Sequence, residues 1–576
     1  MSFGGIFRES PSVMPETIPI RRLDQRPLRE ALLTRGRSIV PGFSREKLIK
    51  YFFGANAWIA IVVLGLIMLS LYQQSVGFDP ARGFFGQDYR SQLVYREAGL
   101  EFVDIIKQES ADLDDIGTYL AGVRLDELKK LLAQGKSLDD ANAALGPFDT
   151  YVGNLTGLDG GLSDIASPLG DTAVATKEQL KEVQDKMAEK ELYLRSGKAD
   201  LAAKVSWQSV DLDAAVKPLR DALPALRQAN DKFRADLIVM LPQPIPAVDD
   251  AMKTRLVSVP SRIQTLINAV PGYQHKLDTW SPKTPVPWYA GVADFFGNSR
   301  WLTASSWQDY YGIMPLLVGS LLISGVALFI AVPLGVGAGI YINQIATPWE
   351  QAIIKPAIEF ISAIPSVVLG FFGVAILGQS LRGYSHDGLL YFLPASFAGA
   401  LPGWLHSILA FSIFPPFSER LNILTAGILL AFMAVPTIFT LTEDAINNVP
   451  RAFKEASFAL GATRLQTIWR IILPASLSGV ISAVLLGFGR VIGETMVVLL
   501  CAGNRIAIPP LSQGLAVVFQ PVHTMTGIIA QELGEVETNG IHWHALFTVG
   551  LLLFLISLVV NFLAQRLVQR FKISIG

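Results

Sequence analysis

Residues 455–474 read EASFALGATRLQTIWRIILP, and the division of the whole chain follows from this stretch. It starts in a charged loop and ends in a proline that enters a long apolar run. Small residues at Ala456, Ser457 and Ala459 let a short helix approach a partner closely, and Gly461 permits a turn with positive φ or a tight backbone contact. Arg451 and Lys454 lie on the same segment, placed to engage surface acids of a partner. An amphipathic interfacial helix is the plainer alternative, but it accounts for neither the spacing nor the proline-ended return.

Outward from this loop the chain separates into membrane and soluble parts. Of its 576 residues 51% are hydrophobic and only 17% charged, with 48 basic and 49 acidic side chains and a net charge of -1. A soluble protein carries roughly 25% charged residues, so disordered and basic nucleic-acid-binding classes are excluded. Positions 75–300 alone hold 26 basic and 32 acidic residues. A single cysteine, Cys501, rules out an internal disulfide, and six scattered histidines show no metal-ligand spacing.

Six spans are expected. Residues 1–54 read as a basic, mostly irregular cytoplasmic tail, with ten Arg/Lys against five Asp/Glu in the first 50 positions. The first span runs from about Ala55 to Tyr72 within a segment ending at residue 74, as an uncleaved anchor, since some 50 residues precede it and no small-residue cleavage site follows. The others are Ile313–Ile340, Ile358–Leu377, Ile423–Leu441, a fifth starting at Ile471 and continuing to Asn504, and Leu546–Phe562. This count returns the C-terminus, with Arg566, Arg570 and Lys572, to the cytoplasm. It also places the loop 443–470, with four basic residues, inside, and the loop 505–544, with one, outside. Segments 388–418 and 506–531 are uncharged but punctuated by prolines, which favours re-entrant or interfacial packing over full spans.

Residues 75–307 form an extracytoplasmic insertion. Leu113, Ile116, Leu120 and Val123 repeat at helix spacing, as do Leu212, Val216, Leu219, Leu223 and Leu226. A helical bundle or antiparallel hairpin is expected, serving as a solvated structural insertion or as a docking surface for a soluble protein. The flanking span ends are solvent-facing in this topology, so the insertion is expected to be removable between residues 90 and 290.

The fifth span contains LLGFGRVIGETMVVLLCAGN at 485–504. An arginine inside a bilayer costs at least a few kcal/mol and needs a carboxylate, a bundle interior or a wet cavity. On a continuous helix Glu494 shares a face with Arg490 and is close enough to compensate it. The pair therefore reads either as a structural salt bridge or as a receptor for an anion crossing the membrane, with the guanidinium fork suited to a tetrahedral oxyanion and Glu494 orienting it.

The loop at 455–474 resembles the coupling motif of ABC importer membrane subunits, E-A-A, three residues, Gly, nine residues, I-x-L-P. It is carried here by Glu455, Ala456, Ser457, Gly461, Ile471, Leu473 and Pro474, with Ser for the second Ala. The pattern GRVIGETM at 489–496, AGN at 502–504, IPSVVLGFFG at 364–373, VPLGVGAGIY at 332–341 and PVHTMTGIIAQELGE from Pro521 are similar to phosphate-specific ABC permeases of the PstC type. The resemblance covers residues 308–570. It implies an all-α membrane protein with six transmembrane helices of the importer type and a helical extracytoplasmic insertion, in a bacterial inner membrane, with residues 571–576 ending in the cytoplasm. It further implies phosphate transport, with Arg490 and Glu494 lining the path. The implied complex pairs the chain with a related second permease, two cytoplasmic ATP-binding subunits and an extracytoplasmic phosphate-binding protein. Nucleic acid has no place in it. GKS at 135–137 lacks the rest of a phosphate-binding loop. ATP and Mg would be bound by the partner subunits, leaving no catalytic residue, metal or cofactor of its own. The competing readings are a permease for another oxyanion, or a membrane-anchored structural or sensory protein acting through its outer domain.

Overall fold

The structure is a computed structural model, described here for residues 45–79, 82–303, 305–394 and 402–570. The bulk of the expected N-terminal tail and residues 571–576 lie outside the described residues. Among the described residues the secondary structure is helical apart from an isolated bridge between Gly503 and Val522 and a two-stranded antiparallel ribbon, Trp301–Leu302 with Tyr310–Tyr311, which the sequence did not announce.

Among the described residues six helical segments are long and apolar enough to cross a membrane: Ile49–Ser75, Met314–Gln344, Ser366–Phe392, Ile423–Asn447, Arg464–Ile492 and Ile541–Leu567. The first lies on a helix, Arg45–Ser75, that extends past Ser70, where the first of two compact units ends. Two spans depart from expectation. The third begins at Ser366 rather than Ile358, because the preceding helix, Pro348–Ser362, stops short and Pro365 takes an extended ψ of 137° as the next N-cap. The fifth begins earlier, at Arg464, where Thr463 and Gln466 form a capping box, and ends at Ile492 instead of running to Asn504.

The two proline-rich segments contain no continuous spanning helix among the described residues. Part of the first, 395–401, is outside them; the rest holds a 3₁₀ turn at Gly388–Phe392 and a short helix at Gly403–Leu409. The second is broken at Gly514, where φ is 59°. They meet each other: the Phe417 and Phe519 rings stack at 4.7 Å, beside Leu424 of the fourth span.

The fourth span packs chiefly between the second and fifth. Ile438 fits between two glycines: a Cβ at Gly335 would lie 2.9 Å from Ile438 Cβ, and one at Gly487 would lie 2.8 Å from its Cγ1. Without a hydrophobic drive between helices in lipid, close approach over small residues supplies the packing energy.

Within the insertion, the helix Leu100–Ala133 packs against Leu138–Thr156, Gly160–Arg195 and Val259–Thr279, and Leu113, Ile116, Leu120 and Val123 are all buried. The apolar repeat at 212–226 does not make one helix. Pro218 and Pro224 start new helices at Lys217–Asp221 and Leu223–Met240, since proline suits a first turn and not an interior. Val216, Leu219 and Leu226 still face inward.

The insertion's ends are not solvent-facing, contrary to the topology argument. Phe84, Phe295, Trp301 and Tyr311 share a buried cluster with Ile313 and Leu316 at the start of the second span and Leu546 and Val549 of the sixth. Four aromatic rings gain more from burial than from water, so both junctions fold onto the span ends.

Candidate functional site

Arg490 lies in the last turn of the helix Leu473–Ile492, and Gly493 caps that helix. Glu494 is consequently off the helix, and the two side chains make no ion pair. The salt-bridge alternative required two more helical residues, Gly493 and Glu494, and Gly493 ends the helix first. Arg490 instead donates from Nη1 to Thr437 Oγ1 at 3.2 Å, from an exposed position on this chain. Thr437 follows Pro436 in the fourth span.

Glu494 serves the next element. Its Oε1 accepts from the Met496 backbone N–H at 3.3 Å, at the start of the short helix Met496–Cys501, where a carboxylate is favoured by the helix dipole. Its backbone carbonyl accepts from Thr526 Oγ1 at 2.8 Å. The segment 521–526 thus fixes the break: Met525 N–H donates to Ser320 Oγ of the second span at 3.0 Å, and Thr524 caps the helix Met525–Glu532. Gly489, one residue before the arginine, faces the sixth span, where Asn561 Oδ1 lies 3.9 Å from the position of an added Cβ. Sequence reasoning missed Thr437, Thr526 and Asn561. Only their being polar within uncharged runs marked them.

The loop at 455–474 folds as a hairpin of two helical arms. Arg451–Ala459 forms the first, Gly461 turns the chain at φ 78°, and Arg464–Thr467 opens the second. The positive φ expected of Gly461 is present; a Cβ there would touch nothing within 4 Å, so backbone conformation and not internal crowding demands glycine. Ser457 joins the arms: its Oγ lies 2.9 Å from Thr467 Oγ1, while Thr467 donates to the Thr463 carbonyl at 3.0 Å. The Thr467 proton being committed, Ser457 is the donor, a bond that an alanine at this position lacks.

Leu473 N–H bonds the carbonyl of Ile468, five residues back, in a π turn at Ile468–Ile472. Pro474 has no N–H to give Arg470, which removes the next α-helical bond and favours the wider turn. Ile471 and Leu473 are half-buried here, and Pro474 is exposed. Between the arms lies a groove of about 640 Å³ lined by Phe453, Ala456, Leu460, Arg470 and Ala475 among others. Its rim is apolar, with Leu460 89% exposed. Glu455 and Ala456 are exposed, and Glu455 makes no ion pair among the described residues. Burial, reinforced by Arg451, pushes the Lys454 ammonium below its ordinary pKa.

Residues 331–573 match the family described as binding-protein-dependent transport system inner membrane component. The phosphate transport system permease protein PstC of Pasteurella multocida is 32% identical over 46% of this chain and 77% of that protein. Its Haemophilus influenzae counterpart is 32% identical over 49% and 84%, and the probable ABC transporter permease protein YqgH of Bacillus subtilis 30% over 49% and 83%. A chain of the MetNI methionine ABC transporter overlaps at a TM-score of 0.30 and 19% identity, over 45% of this chain and 94% of that one, too slight a likeness to bear on the fold. With an apolar helical core of several spans, a glycine-turned hairpin between its fourth and fifth spans and relatives of this kind, the chain belongs to the binding-protein-dependent inner membrane component family, as a PstC-like ABC importer permease.

Proposed function

We propose that this chain is a translocation subunit of an ATP-driven importer of inorganic phosphate. The observation that carries the reading is the unneutralised Arg490. Among the described residues its guanidinium has one neutral hydroxyl partner, Thr437, and no carboxylate, so most of its donors are left for an oxyanion. Glu494, held by Met496 and Thr526, stands as a separate acid beside the path. The relatives bearing phosphate transport names favour phosphate among oxyanions.

In this reading Glu455, Ala456, Ser457, Gly461, Ile471, Leu473 and Pro474 build the socket for a cytoplasmic ATP-binding subunit. Its apolar rim and exposed Glu455 suit a docked protein element, and the Ser457–Thr467 bond keeps the two arms moving as one body. Two such subunits, a second related permease and an extracytoplasmic phosphate-binding protein complete the assembly, with ATP and Mg held by the ATP-binding chains. The termini then face the cytoplasm and residues 75–307 lie outside, consistent with the basic loop 443–470.

The test is reconstitution with candidate partners and measurement of ATP-dependent phosphate uptake. Because no ion pair is broken, Arg490→Met is expected to assemble without needing Glu494→Leu, yet to lose uptake at least tenfold. Arg490→Lys keeps the charge but loses the fork and is expected to blur discrimination between phosphate and sulfate. Normal phosphate flux through assembled Arg490→Met, alone or with Glu494→Leu, defeats the pathway assignment. Equal competition by sulfate in the unaltered protein defeats the substrate assignment.

A further inference from the structure

The helix Ala290–Gly297 has two unlike faces. Gly291 and Phe295, four residues apart, are buried. On the other side Tyr289, Val292 and Phe296 follow at three and four residues, with Trp288 one turn before Val292. These four are exposed by 52%, 40%, 43% and 86% respectively, and the Trp288 and Tyr289 rings sit edge to face at 5.7 Å. So concentrated an aromatic surface is unusual on a face that meets only water.

Where this face lies is fixed by its attachments. The carbonyl of Phe295 accepts from the backbone N–H of Ile313 at 2.8 Å, one residue before the second span begins at Met314. The Phe295 ring is buried with Leu316 of that span and Leu546 and Val549 of the sixth. The helix is therefore fastened at the level where two spans leave the membrane, the level at which Trp301, Tyr311 and Trp543 also sit. Its charge pattern fits that level. Between Lys283 and Arg300 the single charged residue is Asp294, which is half-buried and accepts from Asn298 Nδ2 at 2.9 Å. The exposed face carries none, and the guanidinium of Arg300, the next charged residue, lies over the Tyr310 ring at 5.9 Å.

We infer that Trp288, Tyr289, Val292 and Phe296 form an interfacial anchor that enters the headgroup layer of the leaflet on the insertion side, seating the insertion on phospholipid. Amphipathic aromatic rings partition to this layer, where the ring meets acyl chain and the polar edge meets water. A short helix lying in the plane of the interface, with its apolar face down, is the arrangement that such a surface serves. The anchor holds the insertion at a set tilt over the span ends independently of what the transporter carries.

The test uses the full chain in liposomes of phosphatidylcholine and phosphatidylglycerol. Cys501 is buried, so nitroxide labels can be directed to Val292→Cys and Phe296→Cys, with Leu125→Cys, an exposed residue in the distal half of the helix Leu100–Ala133 beside the Asp126–Arg255 pair, as reference. Power-saturation measurements with oxygen and a water-soluble nickel chelate are expected to give an oxygen-to-nickel accessibility ratio several-fold higher at 292 and 296 than at 125. Tryptophan quenching by brominated lipid is expected to fall in Trp288→Phe, a readout that needs no label. A nickel accessibility at 292 and 296 equal to that at 125 overturns the anchor in favour of a solvated face. Exclusion of both reagents overturns it in favour of a covering protein.

Discussion

Removing the carboxyl of Glu109 should stabilise the insertion and flatten its pH dependence. Glu109 is fully buried on the helix Leu100–Ala133, and neither of its carboxyl oxygens has a hydrogen-bond partner among the described residues. Asp112, whose Oδ2 accepts from the Tyr273 hydroxyl at 2.7 Å, adds a nearby negative charge. Burial first and Asp112 second raise the Glu109 pKa from 4.5 to about 8. The folded state therefore holds the proton more tightly than the unfolded one. Stability from this group is fully present below pH 4.5 and is lost progressively as pH rises to about 8. At 1.36 kcal/mol per unit the loss is about 3 kcal/mol at pH 7 and approaches ~5 kcal/mol above pH 8. Glu109→Leu cannot ionise and nearly fills the same space, so it should recover on the order of 2–3 kcal/mol at pH 7, and Glu109→Gln less, because its amide stays unpaired. Hydrogen exchange of peptides from residues 105–130, in the reconstituted chain between pH 6 and 9 and corrected for intrinsic exchange, reads these differences. Wild-type protection that does not change with pH, or a Leu variant that opens more readily than wild type at pH 8, would refute the reasoning.

Four other outcomes follow from geometry. Gly461→Leu forces a branched residue into φ 78° at a cost of roughly 1–2 kcal/mol, and should lower the ratio of phosphate taken up to ATP hydrolysed while leaving insertion intact; Gly461→Asn, which tolerates this conformation, should keep more of it. Crosslinks from Ala456→Cys should capture the ATP-binding subunit, and their absence would remove the socket. Gly487→Ala drives a methyl to 2.8 Å from Ile438 Cγ1 and should cost about 1–3 kcal/mol in thermal unfolding, with Ile438→Ala restoring stability; a second change that merely adds its own loss would show that the contact is not limiting. Deleting residues 99–283 keeps both junction helices and should preserve assembly measured by size-exclusion chromatography, whereas a deletion beginning at residue 90 cuts the helix Phe84–Glu97 and should lose it; equal behaviour of the two would deny the junction its role.

The spans were legible in the sequence because a bilayer demands some 20 apolar residues in a row, a condition each segment meets or fails by itself. The glycine-turned hairpin at 455–474 was legible as a backbone shape for a similar reason: small residues, one glycine and one proline act through the backbone at fixed spacing, and Gly461 and Pro474 do so here. The helical character of the insertion also came through, since Leu113, Ile116, Leu120 and Val123 repeat at the period of one turned face. The relation of Arg490 to Glu494 did not. Four residues apart means one face only while the helix lasts, and whether it lasts past Gly493 depends on Thr526 and Met496 holding Glu494 elsewhere, across contacts 32 and 2 residues away in the chain. The stacking of Phe417 on Phe519 and the burial of Phe84 and Phe295 against the span ends belong to the same kind. Local pattern records what a segment prefers alone; which preference survives is decided by the neighbours that tertiary packing brings to it, and those neighbours have no fixed distance in sequence.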